Sequence, residues 1–131
     1  MVAYSFKPQF REPILAGTKR QTIRSDRKRH ARVGEQLQLY TGMRTRQCRL
    51  IGRAVCVDVL PVTLFFANPA DPEDSDAVEV CGGQTDDSGD LARFAVADGF
   101  PDWPALRRFW SATHGPGTCF AGVMIRWEAL T

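Results

Sequence analysis

Residues 6–24 read FKPQFREPILAGTKRQTIR, and the rest of the chain is best read outward from them. Phe10–Ala16 is expected to form a short helix. Pro13 is tolerated in its first turn, and Ile14 and Leu15 supply apolar contacts. Gly17 ends it, because glycine takes positive φ without steric cost. The continuation from Thr18 reaches β-branched Thr22 and Ile23 and so reads as the entry to a strand. In a strand Thr22 and Arg24 share one face and Ile23 takes the other. Lys19 then lies in the turn between helix and strand.

Downstream, Val33–Gly34–Glu35 leads into Gln36–Tyr40, where Leu37 and Leu39 alternate with polar residues as in a half-buried strand. Arg44–Leu60 is a long β-rich stretch that Gly52 is expected to kink or bulge. Thr63–Ala67 is a short apolar run compatible with either type of element. The segment NPADPEDSDAVEVCGGQTDDSGD, residues 68–90, is acidic and rich in Pro, Gly and Asp. It reads as a long, mobile surface loop around a short Val78–Val80 piece. Leu91–Ala97 is expected to be a helix stopped by Gly99. A further helix, Trp103–Thr113, has Asp102 as N-cap, Pro104 in its first turn and Gly115 past its end. Its stripe Leu106, Phe109, Trp110 and Thr113 reads as core rather than as a stacking platform. Phe120–Trp127 alternates as a final strand. This order without regular βαβ alternation predicts an α+β fold, a small, mostly antiparallel β-barrel flanked by short helices.

The 131 residues predict one domain, 1–131, with the acidic segment near 68–90 as an insertion. At 44% hydrophobic and 24% charged the composition is that of an ordinary globule. No apolar run approaches the ~20 residues of a spanning helix, so no membrane association is expected. The start, MVAYSFKPQF, lacks an apolar stretch behind a basic one, and the expectation is a cytoplasmic protein. Cys48, Cys56, Cys81 and Cys119 contain no CxxC pair and read as reduced thiols, mostly buried. No metal-ligand spacing and no glycine-rich phosphate loop is present, so neither metal nor cofactor is expected. Charge is divided: residues 1–66 carry thirteen Lys/Arg against four Asp/Glu, and residues 67–131 carry four against eleven. The basic half is dense at Lys19, Arg20, Arg24, Arg27, Lys28, Arg29 and Arg32. Such a cluster either meets a polyanion or is neutralised across the fold by the acidic half.

The stretch quoted first, then VGEQLQLYTG at 33–42 and ADGFPDWPALRRFWSATHG at 97–115, together resemble the ASCH domain family of the PUA-like superfamily. The shared pieces are an ILxG turn followed by a Lys and a TIR strand, then VGxxLxLY, then an acidic-Gly-aromatic step into a helix. They run from Phe6 to Gly115. The resemblance implies a PUA-like β-barrel with a cleft, and RNA or a modified nucleoside as partner. It is similar to small bacterial N4-acetylcytidine amidohydrolases, whose catalytic set is a Lys, a Thr three residues later and a downstream Glu. The matching positions are Lys19, Thr22 and Asp98. Asp98 is a departure, since an Asp reaches roughly 1.5 Å less than a Glu. The acidic segment near 68–90 also lengthens this chain relative to those enzymes.

The chemistry is coherent on its own terms. A Thr hydroxyl becomes a nucleophile when a base takes its proton, and a Lys is a base when neutral. Burial and neighbouring cations lower a Lys pKa. Asp98 is placed to orient the Lys or pass a proton to the leaving amine. Arg24 is suited to an oxyanion or a phosphate. Arg20, Arg24, Arg27, Lys28, Arg29 and Arg32 are candidate nucleic-acid contacts, with Tyr40 as a base-stacking ring. Each residue also has an ordinary reading: a surface Lys, a strand Thr, a turn Asp, a structurally paired Arg, a rim Tyr. A non-catalytic RNA-binding module and a ribonuclease remain the alternatives to an amidohydrolase.

Overall fold

The computed structural model describes residues 2–25, 29–115 and 117–130. Helix α1 (Arg11–Ala16) follows a 3-10 turn at Pro8–Phe10, and Gly17 ends it at φ 80°. Strand β2 (Gln21–Arg24) follows, as the β-branched pair requires. β3 (Gln36–Thr41) buries Leu37 and Leu39. The register between β3 and β4 (Arg49–Phe65) shifts at Leu39/Tyr40, opposite Gly52, where the bulge was expected.

β4 runs on past the expected end at Leu60. Pro61 reads as a strand terminator because it lacks an N–H. Here the paired register with the next strand begins at Val62, and Pro61 still takes part through its carbonyl, which accepts from Cys81 N at 3.1 Å. The apolar run after it is therefore the same strand. The acidic segment is also more ordered than a plain loop. It holds a hairpin of β5 (Ala77–Val80) and β6 (Gly83–Thr85). Asp76 anchors it by accepting from Ala67 N at 2.7 Å and from Trp103 Nε1 at 2.7 Å. α2 (Ser88–Ala97) starts earlier than expected, capped by Asp87. α3 (Trp103–His114) is capped by Asp102, which accepts from Ala105 N. β7 (Cys119–Ala129) pairs with β4 from Ala54 to Phe65.

An additional strand, β1 (Val2–Phe6), lies parallel to β3. Among the described residues the seven strands form one mostly antiparallel sheet, and β2 pairs only with β7. The sheet is open, which corrects the expectation of a closed barrel. Among the described residues β1 and β2 are both free edges, and no ladder joins them. An arginine side chain bridges them instead. Arg24 Nη2 donates to Ser5 O at 2.7 Å, and the guanidinium carbon sits 5.0 Å and 5.3 Å from the Phe6 and Tyr4 ring centres.

The core gathers Tyr4, Leu37, Leu39, Leu64, Leu106 and Ile125 between the sheet and the helices. Cys56 is buried as expected, but Cys48, Cys81 and Cys119 are exposed free thiols. They fall at strand ends and turns, where no apolar face recruits them. No helix of the described residues is long and apolar enough to cross a membrane.

Candidate functional site

A cavity of about 260 Å³ opens where β1 and β2 fail to pair. Ser5, Phe6 and Lys7 line one side, and Thr22, Ile23 and Arg24 line the other. Lys19 and Asp98 are in its wall. Phe10, Phe100, Phe109 and Trp110 complete it as an aromatic flank.

Lys19 is 3% exposed, which is unusual for a lysine. The turn after Gly17 directs it inward under the C-terminus of α2. Its Nζ donates to Gln21 O at 2.8 Å and to Asp98 O at 2.5 Å. It lies 4.0 Å from Asp98 Oδ1 and over the Phe10 ring at 4.7 Å. Burial pushes the Lys19 pKa down from 10.5 to about 8; Asp98 opposes that shift and Arg24 adds to it. Asp98 is 4% exposed, and burial pushes its carboxyl up to about 6 against the pull of Lys19, of Gln21 and of Arg24.

The backbone makes this approach possible. Gly99 stands at φ +99°, and a Cβ there would lie 2.7 Å from Lys19 Cδ and 2.9 Å from Phe10 Cδ1. Only glycine lets the chain at 98–99 come so near the lysine stem. At this close approach the Asp98 backbone carbonyl, rather than its carboxylate, contacts Nζ directly. Gln21 Nε2 adds a long contact of 3.5 Å to Asp98 Oδ1.

Thr22 is buried in β2, and its Oγ1 accepts from Arg24 Nε at 3.0 Å. Thr22 and Arg24 thus share one strand face, as alternation requires. Among the described residues no hydrogen bond joins Lys19 Nζ to Thr22 Oγ1; the two meet as walls of one cavity. The structure therefore brings Lys19, Thr22, Asp98 and Arg24 together.

The other candidates lie elsewhere. Arg20 is exposed, and its backbone bridges Ala97 and Trp127. Arg29 is ion-paired to Glu35 at 2.7 Å, and Arg32 is exposed, its N–H donating to Glu35 Oε1. Tyr40 is half-buried, donates to Gln38 Oε1 and does not line the cavity. Arg27 and Lys28 lie outside the described residues. Among the described residues no group of His, Cys, Asp or Glu gathers that is fit to hold a metal ion.

Sequence reasoning missed the aromatic flank. On α3, Leu106 is fully buried, but Phe109 and Trp110 are half-buried and Thr113 is exposed. The stripe begins in the core and runs out over the cavity mouth. Phe109 packs edge-on to Phe10 with centres 5.6 Å apart, and Lys7 Nζ sits 4.9 Å from its centre. Trp110 Nε1 is buried and has no hydrogen-bond partner among the described residues. The usable signal was the stripe's polar end at Thr113, which a purely internal helix face does not require. Comparison with family models, with curated proteins and with solved structures returns no match to this chain.

Proposed function

We propose that the chain is an ASCH-type, PUA-like domain that takes an acylated nucleobase, of the N4-acetylcytidine kind, into the β1–β2 cavity and hydrolyses its amide. The observation that carries this reading is the buried Lys19–Asp98 pair beside Thr22 in the wall of an aromatic-flanked cavity. Buried titratable pairs with displaced pKa values in a cleft favour a chemical role over a structural one. A flat ring suits Phe100, Phe109 and Trp110, since aromatic faces stack on one another.

Lys19 with a pKa of about 8 is neutral in about a tenth of molecules at pH 7. A neutral amine has two N–H groups and one lone pair. The carbonyls of Gln21 and Asp98 match the two N–H groups, and the lone pair serves as base. It takes the Thr22 hydroxyl proton as Oγ1 attacks the acetyl carbon. The carbonyl electron pair moves onto oxygen, and Arg24 offsets that charge. The Arg24 Nε–H on Oγ1 also eases the build-up of negative charge on the attacking oxygen. The C–N bond then breaks, and Lys19 returns the proton to the departing amine nitrogen. Water cleaves the acetyl–Thr22 ester by the same sequence, giving acetate and free Thr22. Asp98 holds Lys19 in place and offsets part of the lowering that burial imposes on its pKa.

A non-catalytic binding module for RNA or a modified nucleoside is the second reading. Among the described residues no hydrogen bond joins Lys19 to Thr22, and that favours it. The test is incubation of the chain with N4-acetylcytidine, without added metal, with cytidine and acetate quantified. Equal release of both, stopped by Thr22→Val, is the expected result. Nucleoside binding without release would replace the enzyme with the binding module.

A further inference from the structure

The cavity of about 260 Å³ is smaller than the roughly 300–1,000 Å³ of sites that enclose a drug-sized ligand. A base with its acyl group is small enough to lie within it, and a phosphate carried on the sugar reaches beyond that base. Directly across Ser5 and Arg24 is a second cavity, about 240 Å³, lined also by Ala3, Tyr4, Met43 and Arg44. The two cavities share Ser5 and Arg24 as a common wall. Among the described residues no acidic residue lines the second one, and two arginines do.

Arg44 is held there by a built turn. Thr45 N and Thr45 Oγ1 both donate to Gly42 O, at 3.0 and 2.6 Å, and Cys48 N donates to Thr45 O at 3.2 Å. Gly42 is at φ +65°, and a Cβ there would lie 2.8 Å from Gln47 O. Arg44 itself stands at φ 67°, a costly conformation for a residue with a Cβ. Its side chain is exposed and forms no hydrogen bond or ion pair among the described residues. A guanidinium beside a second one is a phosphate-binding arrangement, because planar N–H forks match phosphate oxygens.

We infer that the second cavity is a phosphate subsite formed by Arg44 with Arg24, and that the ligand is a nucleoside phosphate with its base in the first cavity. This rests on the nucleobase reading above. The phosphate comes either from a free nucleotide or from RNA.

Calorimetric titration with cytidine, its 5′- and 3′-monophosphates and a short oligocytidylate tests it. These ligands carry no acyl group, so turnover does not interfere. At least one monophosphate is expected to bind ten-fold or more tightly than cytidine. Arg44→Gly, which suits the positive φ, is expected to bring that ratio close to one, and Arg44→Lys to restore part of it. A further gain for oligocytidylate identifies RNA as the source, and none identifies the free nucleotide. Equal affinities for cytidine and both monophosphates, or a ratio that survives Arg44→Gly, overturn the subsite alone. Absence of binding by every ligand overturns the subsite together with the nucleobase reading.

Discussion

At the scale of single residues, the Lys19–Asp98 pair lowers stability. Lys19 titrates near 8 in the fold against 10.5 ordinarily, so between those values the unfolded chain holds more protons and stability rises with pH. Asp98 titrates near 6 against 3.8, so between those values the folded chain holds the extra proton and stability falls as pH rises. Both groups therefore cost stability between pH 6 and 8, on the order of a few kcal/mol together. Replacing a buried ion pair by apolar groups of similar volume is commonly neutral or stabilising. The double variant Lys19→Met with Asp98→Val, apolar at both positions, is expected to melt above wild type at pH 7. A lower melting temperature would contradict this. Asp98→Asn alone removes the charge that raises the Lys19 pKa. Any activity it retains is expected to rise with pH at a lower midpoint than in wild type, which a rate-against-pH series reads directly. Lys19, Thr22 and Asp98 stand out only through the resemblance that their short stretches of sequence carry, and Arg24 through the basic cluster as well. Arg44 does not stand out, because nothing in its local sequence marks it; only the fold carries its turn to the edge of β1.

At the scale of elements, the site depends on two close approaches. Gly99→Ala puts a methyl 2.7 Å from Lys19 Cδ at φ +99°. It is expected to cost about 1–3 kcal/mol in stability and to abolish turnover by displacing Lys19. Gly17→Ala is the control: φ is also positive, at +80°, but nothing lies within 4 Å of the added Cβ. It is expected to lower the melting temperature and leave turnover in place. Equal activity in the two variants would show that the 98–99 approach does not position Lys19. The helices were legible to within a few residues, since their caps and stop glycines are local signals. The strands were less so. β4 reads as two pieces because Pro61 lacks an N–H, yet its carbonyl keeps the strand continuous by accepting from Cys81 N. β6 is hidden in acidic sequence whose composition suggests a loop, and of β5 only the short Val78–Val80 piece shows, although Asp76 fastens the segment to Trp103 and to the Ala67 amide.

At the scale of the whole molecule, the α+β class follows from the order of elements, but closure of the sheet does not. Whether β1 and β2 pair depends on what stands between them, and Arg24 with its bonds to Ser5 and Thr22 stands there. That gap is also the cavity, so the opening in the sheet and the candidate site are one feature. The basic half of the chain is partly self-neutralised, as Arg29 shows with Glu35. Affinity for single-stranded RNA is expected to fall as salt rises, with Arg44→Gly flattening the log–log slope by about 0.7, the share of one phosphate contact. An unchanged slope would remove Arg44 from the phosphate path. The central claim is that Lys19 is the base of an amide-cleaving site. Its most direct test is release of cytidine from N4-acetylcytidine across pH 6–9 by wild type and by Lys19→Met. Release that rises with pH about a midpoint near 8, and falls by roughly 10²–10⁴-fold in the variant, is the expected result. Release that persists in Lys19→Met, or none from wild type at any pH, would contradict it.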